Sequence, residues 1–519
     1  MKIKGLIILN ILVVNLIIFS SVCAIDPCYS TYGEVMDEMR FISLTYPNIT
    51  RIYTIGYTTG FQLPILAMKI SDNPQIREDE PKLLYNGIHH PAEVIGPEIC
   101  LFLIRDLVSK YEIDSFITSA INSSEIWVIP MVNPDGNYIV HSGLDTMWRK
   151  NTRDNNLNGI WDYNDGVNLN RNYDFLWSSG GNTIPADRDY RGPYPFSENE
   201  TQAIRDLSLR EKFIFDICYH SDKDIHMGEA VYYTWTWGNA RTPDHNHIKP
   251  IADSLAFSII NDAGIGTYYA ILGRATEGGL TRHWLYYAVG TFAFTIEVSH
   301  GYFPPASQVD SICQRNSVGA YYLLRRSFGS QLTGHITDSL TGTPLVAEVR
   351  ILEAFAPPET IAPRTSDSLF GRYYRILSPG NYTVQVLKPG YQPELIPNVS
   401  VLAGQPTFLE VKLKPSRSLE DKTQSVNRSY ENFQVFSSIT NKSNKILFSV
   451  VKETDVNIKI YAEDGKLIKV FVDQTFLSGK YSFSWDYQDK NGKKVADGVY
   501  FIKITTNSFE QTKKIVVVN

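Results

Sequence analysis

Cysteine is scarce in this chain, five residues in 519, and one of the five lies in the N-terminal apolar stretch. The other four, Cys28, Cys100, Cys218 and Cys313, are too few for a disulfide-dense scaffold and leave three pairings open if they pair at all. Cys100 and Cys218 stand in apolar runs and read as buried free thiols. Excess positive charge is missing as well. Lys and Arg number 49 against 55 Asp and Glu, a formal net charge of -6, which argues against nucleic acid as a main partner. Long apolar runs are nearly absent. The one at 6–19 follows Lys2 and Lys4, is interrupted by Asn, precedes Val22-Cys23-Ala24 and is too short to span a bilayer. It reads as a secretory signal peptide over 1–24, which makes the mature chain secreted or cell-surface. An acylated Cys23 fits the preceding residues poorly.

What is present is the composition of a folded protein, 43% hydrophobic and 20% charged, at a length that calls for two to four domains. Over 25–328 amphipathic helical stretches alternate with short apolar strands. A helix is expected at 34–46 and strands at 63–70, 81–85 and 125–130; the continuous apolar runs 213–218 and 292–298 suit central strands buried on both faces. This is an α/β domain around a mixed, mostly buried sheet. Over 329–415 helical periodicity disappears, and short alternating segments at 334–338, 346–352, 381–386 and 408–411 indicate a β-sandwich. A polar linker is expected at 416–428. A second all-β domain follows over 429–519, with strands at 456–461, 479–485, 497–504 and 513–518 and a turn at Glu463-Asp464-Gly465.

Chemistry-bearing residues concentrate in the first domain. Gly87-Ile88-His89-His90-Pro91-Ala92-Glu93 sits between an apolar strand and the apolar helix that begins near Pro97. In such a strand-to-helix turn the imidazole of His90 and the carboxylate of Glu93 can both reach one divalent cation, about 2.0–2.2 Å away. Alone, His-x-x-Glu is a common coincidence. The run 213–218 ends in Tyr219-His220-Ser221, so His220 emerges at a strand end as a third donor, and two His with one Glu and an open position make a catalytic zinc set. Phe292-Ala293-Phe294-Thr295-Ile296-Glu297 places a carboxylate at the end of another buried strand, where it needs a partner or a task. A fitting task is general base and acid toward zinc-activated water. Arg149, in Trp148-Arg149-Lys150, and Arg171, in Val167-Asn168-Leu169-Asn170-Arg171-Asn172, suit carboxylate and oxyanion recognition.

Together with Asn133-Pro134-Asp135-Gly136, these segments occur in the order and approximate spacing of the zinc metallocarboxypeptidases, the family of carboxypeptidase A and carboxypeptidase T. The first domain resembles that family over roughly 29–328. The resemblance implies an eight-stranded mixed sheet flanked by helices, zinc on His90, Glu93 and His220, Glu297 as general base and acid, and Arg149 at the oxyanion. It also implies that Asn170 and Arg171 hold the substrate's C-terminal carboxylate. The chain departs from the pattern at Ala92, where the family usually has Arg. Tyr269 is named for the substrate-capping tyrosine. The side-chain specificity position falls at Thr281 or Arg282: an Arg282 lining the pocket favours acidic C-terminal residues, a Thr281 there makes the pocket small and leaves the preference open, and the plain alternative makes Arg282 a surface charge.

Asp154-Asn155-Asn156-Leu157-Asn158-Gly159 matches the oxygen-donor spacing of a calcium loop, with Asp162 and Asp165 at later ligand places and no closing Glu. Of the two β domains, 329–415 resembles a transthyretin-like module. The last resembles a type IX secretion sorting domain through Tyr461, Gly465, Trp485 and Gly498-Val499-Tyr500, which implies a Gram-negative source, export machinery as a partner and attachment to the cell surface. The expected function is hydrolysis of the C-terminal bond of peptides or proteins. The alternatives are a zinc amidase acting on cell-wall or acidic peptides, and a non-catalytic surface-binding protein on a peptidase fold.

Overall fold

The computed structural model describes residues 25–222, 228–237, 240–354, 361–416, 432–438, 443–450, 452–477, 479–507 and 510–517. The expected signal segment and the linker beyond Ser416 lie outside the described residues. The chain divides into two compact units, Met1–Ser416 and Arg417–Asn519. Among the described residues no helix is long and apolar enough to cross a membrane.

The first unit is built on one mixed sheet. Its strands are β1 (Thr50–Tyr57), β2 (Pro64–Ile70), β3 (Lys82–Gly87), β4 (Glu125–Ile129), β5 (Phe215–Asp222), β6 (Ala230–Trp237), β7 (Ala240–Arg241), β8 (Tyr269–Arg274) and β9 (Phe292–His300). The order is β1-β2-β4-β3-β5-β9-β6-β7, with β8 also on β6. Eight of these are strands of useful length and β7 is a two-residue return, so the expected eight-stranded sheet carries one small addition. The centre is parallel (β4, β3, β5, β9), and β3 and β4 are buried along their whole length. The first five residues of β9 are likewise buried without alternation, which is why 292–298 reads as a continuous apolar run.

The helices are α1 (Tyr32–Thr45), α2 (Ile95–Lys110), α3 (Ser115–Ile121), α4 (Pro134–His141), α5 (Asn199–Glu211), α6 (His245–Ser258), α7 (Thr281–Trp284) and α8 (Ala306–Arg326). Thr31 and Glu34 form a reciprocal capping box that starts α1, and Asp114 and Asn133 cap α3 and α4. Helix α2 packs on β3 and against α8, and α5 packs on β1. Directly after α7 the backbone widens into a π-helix, Leu285–Val289, and Gly290 at φ +93° turns it into β9. Single π turns are uncommon and concentrate at functional sites.

Residues 331–413 form two small sheets on one core. Gln331–Asp338 pairs with Arg372–Ile376, and Gly380–Leu387 lies between Glu348–Ile351 and Glu394–Val401. Leu332, Ile336, Val349, Ile351, Val384 and Val386, drawn from both sheets, share that core. The strand expected at 408–411 is in fact two, Pro406–Phe408 and Val411–Leu413, both parallel to Gln331–Asp338. The break follows from Gly334, whose absent side chain admits the Leu409 carbonyl; a Cβ there would stand 2.1 Å from that oxygen. Among its described residues the second unit likewise has two sheets, of three and four strands, around Ile446, Phe448, Ile458, Trp485, Ile502 and Ile504. All four cysteines in the described residues are free, with Cys28 half-buried and the others buried.

Candidate active site

The sheet delivers its chemistry at the C-terminal ends of β3, β5 and β9. After β3 the chain reverses so tightly that a Cβ on Gly87 would lie 2.9 Å from the Gly96 carbonyl carbon, and the β-branched Ile88 takes φ +57°. Left-handed backbone costs a β-branched residue of order 1–3 kcal/mol and persists where the surroundings over-determine it. The turn throws His90 and Glu93 to the end of the sheet beside β5, whose His220 meets them there.

The three side chains converge. Glu93 Oε1 lies 2.7 Å from His90 Nδ1 and Oε2 2.7 Å from His220 Nδ1, while the two imidazole nitrogens are 3.2 Å apart. All three are buried. Burial, reinforced by Arg149, pushes His90 down to about 3. Burial alone would raise Glu93, yet the two imidazoles hold it well below the usual carboxylate range. Neutral imidazole beside an ionised carboxylate is the protonation state that a divalent cation requires of its donors. The partners of the other ring atoms agree: His90 Nε2 donates to Asn168 Oδ1 at 3.1 Å, which leaves the Nδ1 lone pair for the converging side. The donor set therefore fits zinc.

A second grouping, His89, Cys218 and His220, also brings possible donors together. Its contacts are accounted for by hydrogen bonds. Burial raises the Cys218 thiol, so it stays protonated 3.2 Å from His89 Nδ1, and His89 Nε2 is engaged by Tyr173 Oη at 2.9 Å and Thr281 Oγ1 at 3.1 Å. Of the two groupings, His90, Glu93 and His220 is the one whose donors and partners suit a cation.

Glu297 is the direct cross-strand neighbour of His220 in the β5–β9 ladder, so the two share a face at the sheet end, and Glu297 is half-buried. Arg149 reaches the same place because the Ala92 N–H donates to the Trp148 carbonyl and fixes that loop against the turn. Its Nη1 donates to Glu93 Oε1 at 3.1 Å and its Nε lies 3.4 Å from Asp189 Oδ1. Asn170 Oδ1 accepts from the Thr281 N–H and hydroxyl at 3.0 and 3.1 Å, and Arg171 Nη1 donates to the Asn170 carbonyl at 2.9 Å.

Arg282 is not a surface charge. It is 5% exposed, its Nη2 donates to Glu277 at 3.1 Å, it stands over the Tyr232 ring, and its Nε has no hydrogen-bond partner among the described residues. Gly273 makes the room, since a Cβ there would be 2.9 Å from Arg282 Nη2. Tyr269 opens β8 and is half-exposed, on the same rung as Glu297 with Ala230 between them. In the loop proposed for calcium, Asp154 accepts from the Asn158 and Gly159 amides. Asp165 accepts from those of Asn155 and Asp162, and Asp162 from the side chains of Asn156 and Asn158.

Two residues were not foreseen. Asp189 links Arg149 and Asn168 and lies 4.0 Å from Arg171 Nη2. Asn168 joins His90, Asp189 and the Asn170 amide. Asn168 stands one strand-like step from Asn170 in an Asn-rich run and could have been suspected; Asp189, in a loop with several acidic residues, carries no such signal.

Three donors and a neighbouring carboxylate at the strand ends of a mixed α/β sheet are the layout of a mononuclear metallohydrolase. The zinc carboxypeptidase family model matches residues 35–319, more than half the chain, and the chain belongs to that family. It is 34% identical over 155 residues to a zinc carboxypeptidase of Saccharothrix mutabilis subsp. capreolus, covering 30% of this chain and 34% of that protein. It is 25% identical over 328 residues to human Carboxypeptidase O (60% of this chain, 83% of that one). Against the human Carboxypeptidase N catalytic chain it is 26% identical over 442 residues (79% and 91%). Among solved structures, the thrombin activatable fibrinolysis inhibitor aligns at a TM-score of 0.50 and 22% identity over 57% of this chain and 73% of that one. Carboxypeptidase A of Helicoverpa armigera aligns at 0.50 and 20% over 58% and 73%. At these identities the two structures speak to the fold alone.

Proposed function

We propose that this protein is an exported carboxypeptidase that removes the C-terminal residue from peptides. The observation that carries the reading is the ladder pairing of Glu297 with His220, itself 2.7 Å from the Glu93 carboxylate that also meets His90. His90, Glu93 and His220 would hold zinc, which would supply Lewis acidity toward the scissile carbonyl and acidify water. Glu297 takes the proton from the attacking water and returns it to the leaving amine. Arg149 faces the oxygen on which negative charge grows, and Asn170 with Arg171 grips the free C-terminal carboxylate. Tyr269 closes over the bound end from β8. Arg282, buried beside this site, favours an acidic terminal residue.

Glu297→Gln tests the core of the reading. It should keep one zinc per chain by elemental analysis and lose about 10²–10⁴-fold in release of a C-terminal residue. Unchanged turnover removes Glu297 from the mechanism.

The remaining elements of the proposal concern export. The sandwich 329–415 is read as transthyretin-like, supported by an alignment to Carboxypeptidase N longer than the family-matched segment. The domain 429–519 is read as a sorting-type module of a Gram-negative secreted or surface-attached enzyme. Cell fractionation of tagged protein checks this, and retention in the cytoplasm rejects it. Calcium in the Asp154–Asp165 loop is proposed as a brace for 166–171; thermal unfolding with and without Ca²⁺ reads it, and identical midpoints reject it.

A further inference from the structure

The segment from α7 through the π-helix to β9, residues 281–297, carries both ends of the proposed chemistry. Thr281, at its start, is bonded to Asn170 and His89. Glu297, at its end, is the neighbour of His220. Its middle is a π turn, closed by the Gly290 N–H on the Leu285 carbonyl, an uncommon geometry that recurs at functional sites. What grips that middle comes from the β-sandwich. Arg364, 9% exposed, donates from Nη1 to the Tyr287 carbonyl at 3.0 Å, and its guanidinium lies 4.9 Å from the centre of the Tyr286 ring. The Ala362 N–H donates to the same carbonyl at 3.0 Å. Gly290 is shaped to Arg364: a Cβ there would lie 2.9 Å from the arginine Cδ. On the other side Tyr286 Oη donates to Asp244 at 2.8 Å, and the second oxygen of Asp244 is paired with Arg375 at 3.2 Å, both charges buried.

We infer that the sandwich is a working part of the substrate site, with Arg364 and Arg375 as positioning residues that hold 281–297 in register. This rests on the function proposed above. Neither arginine touches substrate. Arg364 acts through Tyr287 and Gly290, and Arg375 through Asp244 and Tyr286, on the helix that presents Thr281 to the carboxylate-binding Asn170. The interface also supplies an internal control. Arg372 makes an equally firm bidentate pair with Asp79, 2.7 Å to each oxygen, and is bonded to no part of 281–297 among the described contacts.

The test compares Arg364→Ala, Arg364→Lys and Arg372→Ala in the full chain. Arg364→Ala should raise KM for a peptide with a free C-terminus about tenfold, with a smaller change in kcat and unchanged zinc content, since remote misplacement of a binding group by about 1 Å costs up to about 10²-fold. Arg364→Lys, which keeps a donor for the Tyr287 carbonyl, should recover most of the loss. Arg372→Ala should lower the unfolding midpoint and leave KM unchanged. Hydrogen exchange at the Thr281 amide, donated to Asn170, reads the same coupling without turnover: faster in Arg364→Ala, unchanged in Arg372→Ala. Should Arg364→Ala fail to fold, Tyr286→Phe removes a single oxygen from the same network and should show the same split. Equal KM and equal Thr281 exchange in the Arg364 and Arg372 variants overturn the inference. A wild-type enzyme that releases no C-terminal residue overturns the proposed function instead, and the exchange result still decides the coupling.

Discussion

Asn168→Ala is the perturbation that most directly asks which side chains hold the metal. Asn168 is fully buried, and its Oδ1 accepts from His90 Nε2 at 3.1 Å and from the Asn170 amide at 3.0 Å, while its Nδ2 donates to Asp189 at 2.8 Å. Truncation strips the acceptor that fixes the His90 tautomer and leaves a buried ring N–H unsatisfied, a cost of about 1–3 kcal/mol. Outer partners of ligating histidines change metal affinity by about 10–100-fold, which corresponds to about 1.4–2.8 kcal/mol. The two estimates agree, so zinc affinity in a competition titration against a chromogenic chelator should fall by about that factor. Asn168→Asp keeps the acceptor but sets a second carboxylate 2.8 Å from Asp189, so it should not restore wild-type affinity. If zinc instead sat on His89, Cys218 and His220, Asn168→Ala would leave the affinity untouched, because His89 is fixed by Tyr173 and Thr281. Cys218→Ser would then abolish binding, and that pair of results would refute the assignment.

Two further outcomes follow from buried charge. Arg282→Gln should cut the preference for Glu-terminated over Leu-terminated peptides, read as a ratio of kcat/KM, by about tenfold, the scale of one lost charge-assisted hydrogen bond; an unchanged ratio places Arg282 outside the pocket. Glu200, fully buried, is pushed up from 4.5 to about 8 by burial and by Glu198. A carboxyl whose folded value is raised contributes stability that is complete below 4.5 and lost as pH rises through about 8. Glu200→Gln should therefore flatten the fall in unfolding midpoint between those limits, and a wild-type slope in the variant rejects the assignment.

Much of the site is legible in the sequence because each proposed ligand terminates an element whose apolar pattern is plain. The runs before His220 and Glu297 are central strands, and a polar residue at the end of such a strand has one place to go. Arg282 could not be placed from sequence: whether it faces solvent depends on Gly273, a glycine on a neighbouring strand that leaves space for the guanidinium. Asp189 was invisible for a related reason. Its worth lies in two arginines and an asparagine brought to it by loops, and loops carry no period from which orientation can be read. The two-strand break at 409–410 escaped because alternation persists through it, while the cause sits 75 residues away at Gly334 and His335, the latter bonded to Glu410.

The charges around the site make substrate binding depend on the metal. Arg149, Arg171 and Arg282 lie among Glu93, Asp189, Glu277 and Glu297, and Arg188 also stands near Asp189, so guanidiniums and carboxylates balance. A divalent ion adds two positive charges to that balance and favours an anion such as the C-terminal carboxylate of a peptide. Asp189 and Glu277 are 38% and 46% exposed, so solvent screens part of that effect. Chelated protein should then bind a peptide with a free C-terminus about tenfold more weakly than the zinc form, an effect of one partly screened charge. The same peptide with a C-terminal amide should lose less on chelation. Calorimetry of the Glu297→Gln variant, which cannot consume the ligand, separates the two, and equal loss for acid and amide on chelation would mean that the metal shapes the pocket rather than its charge.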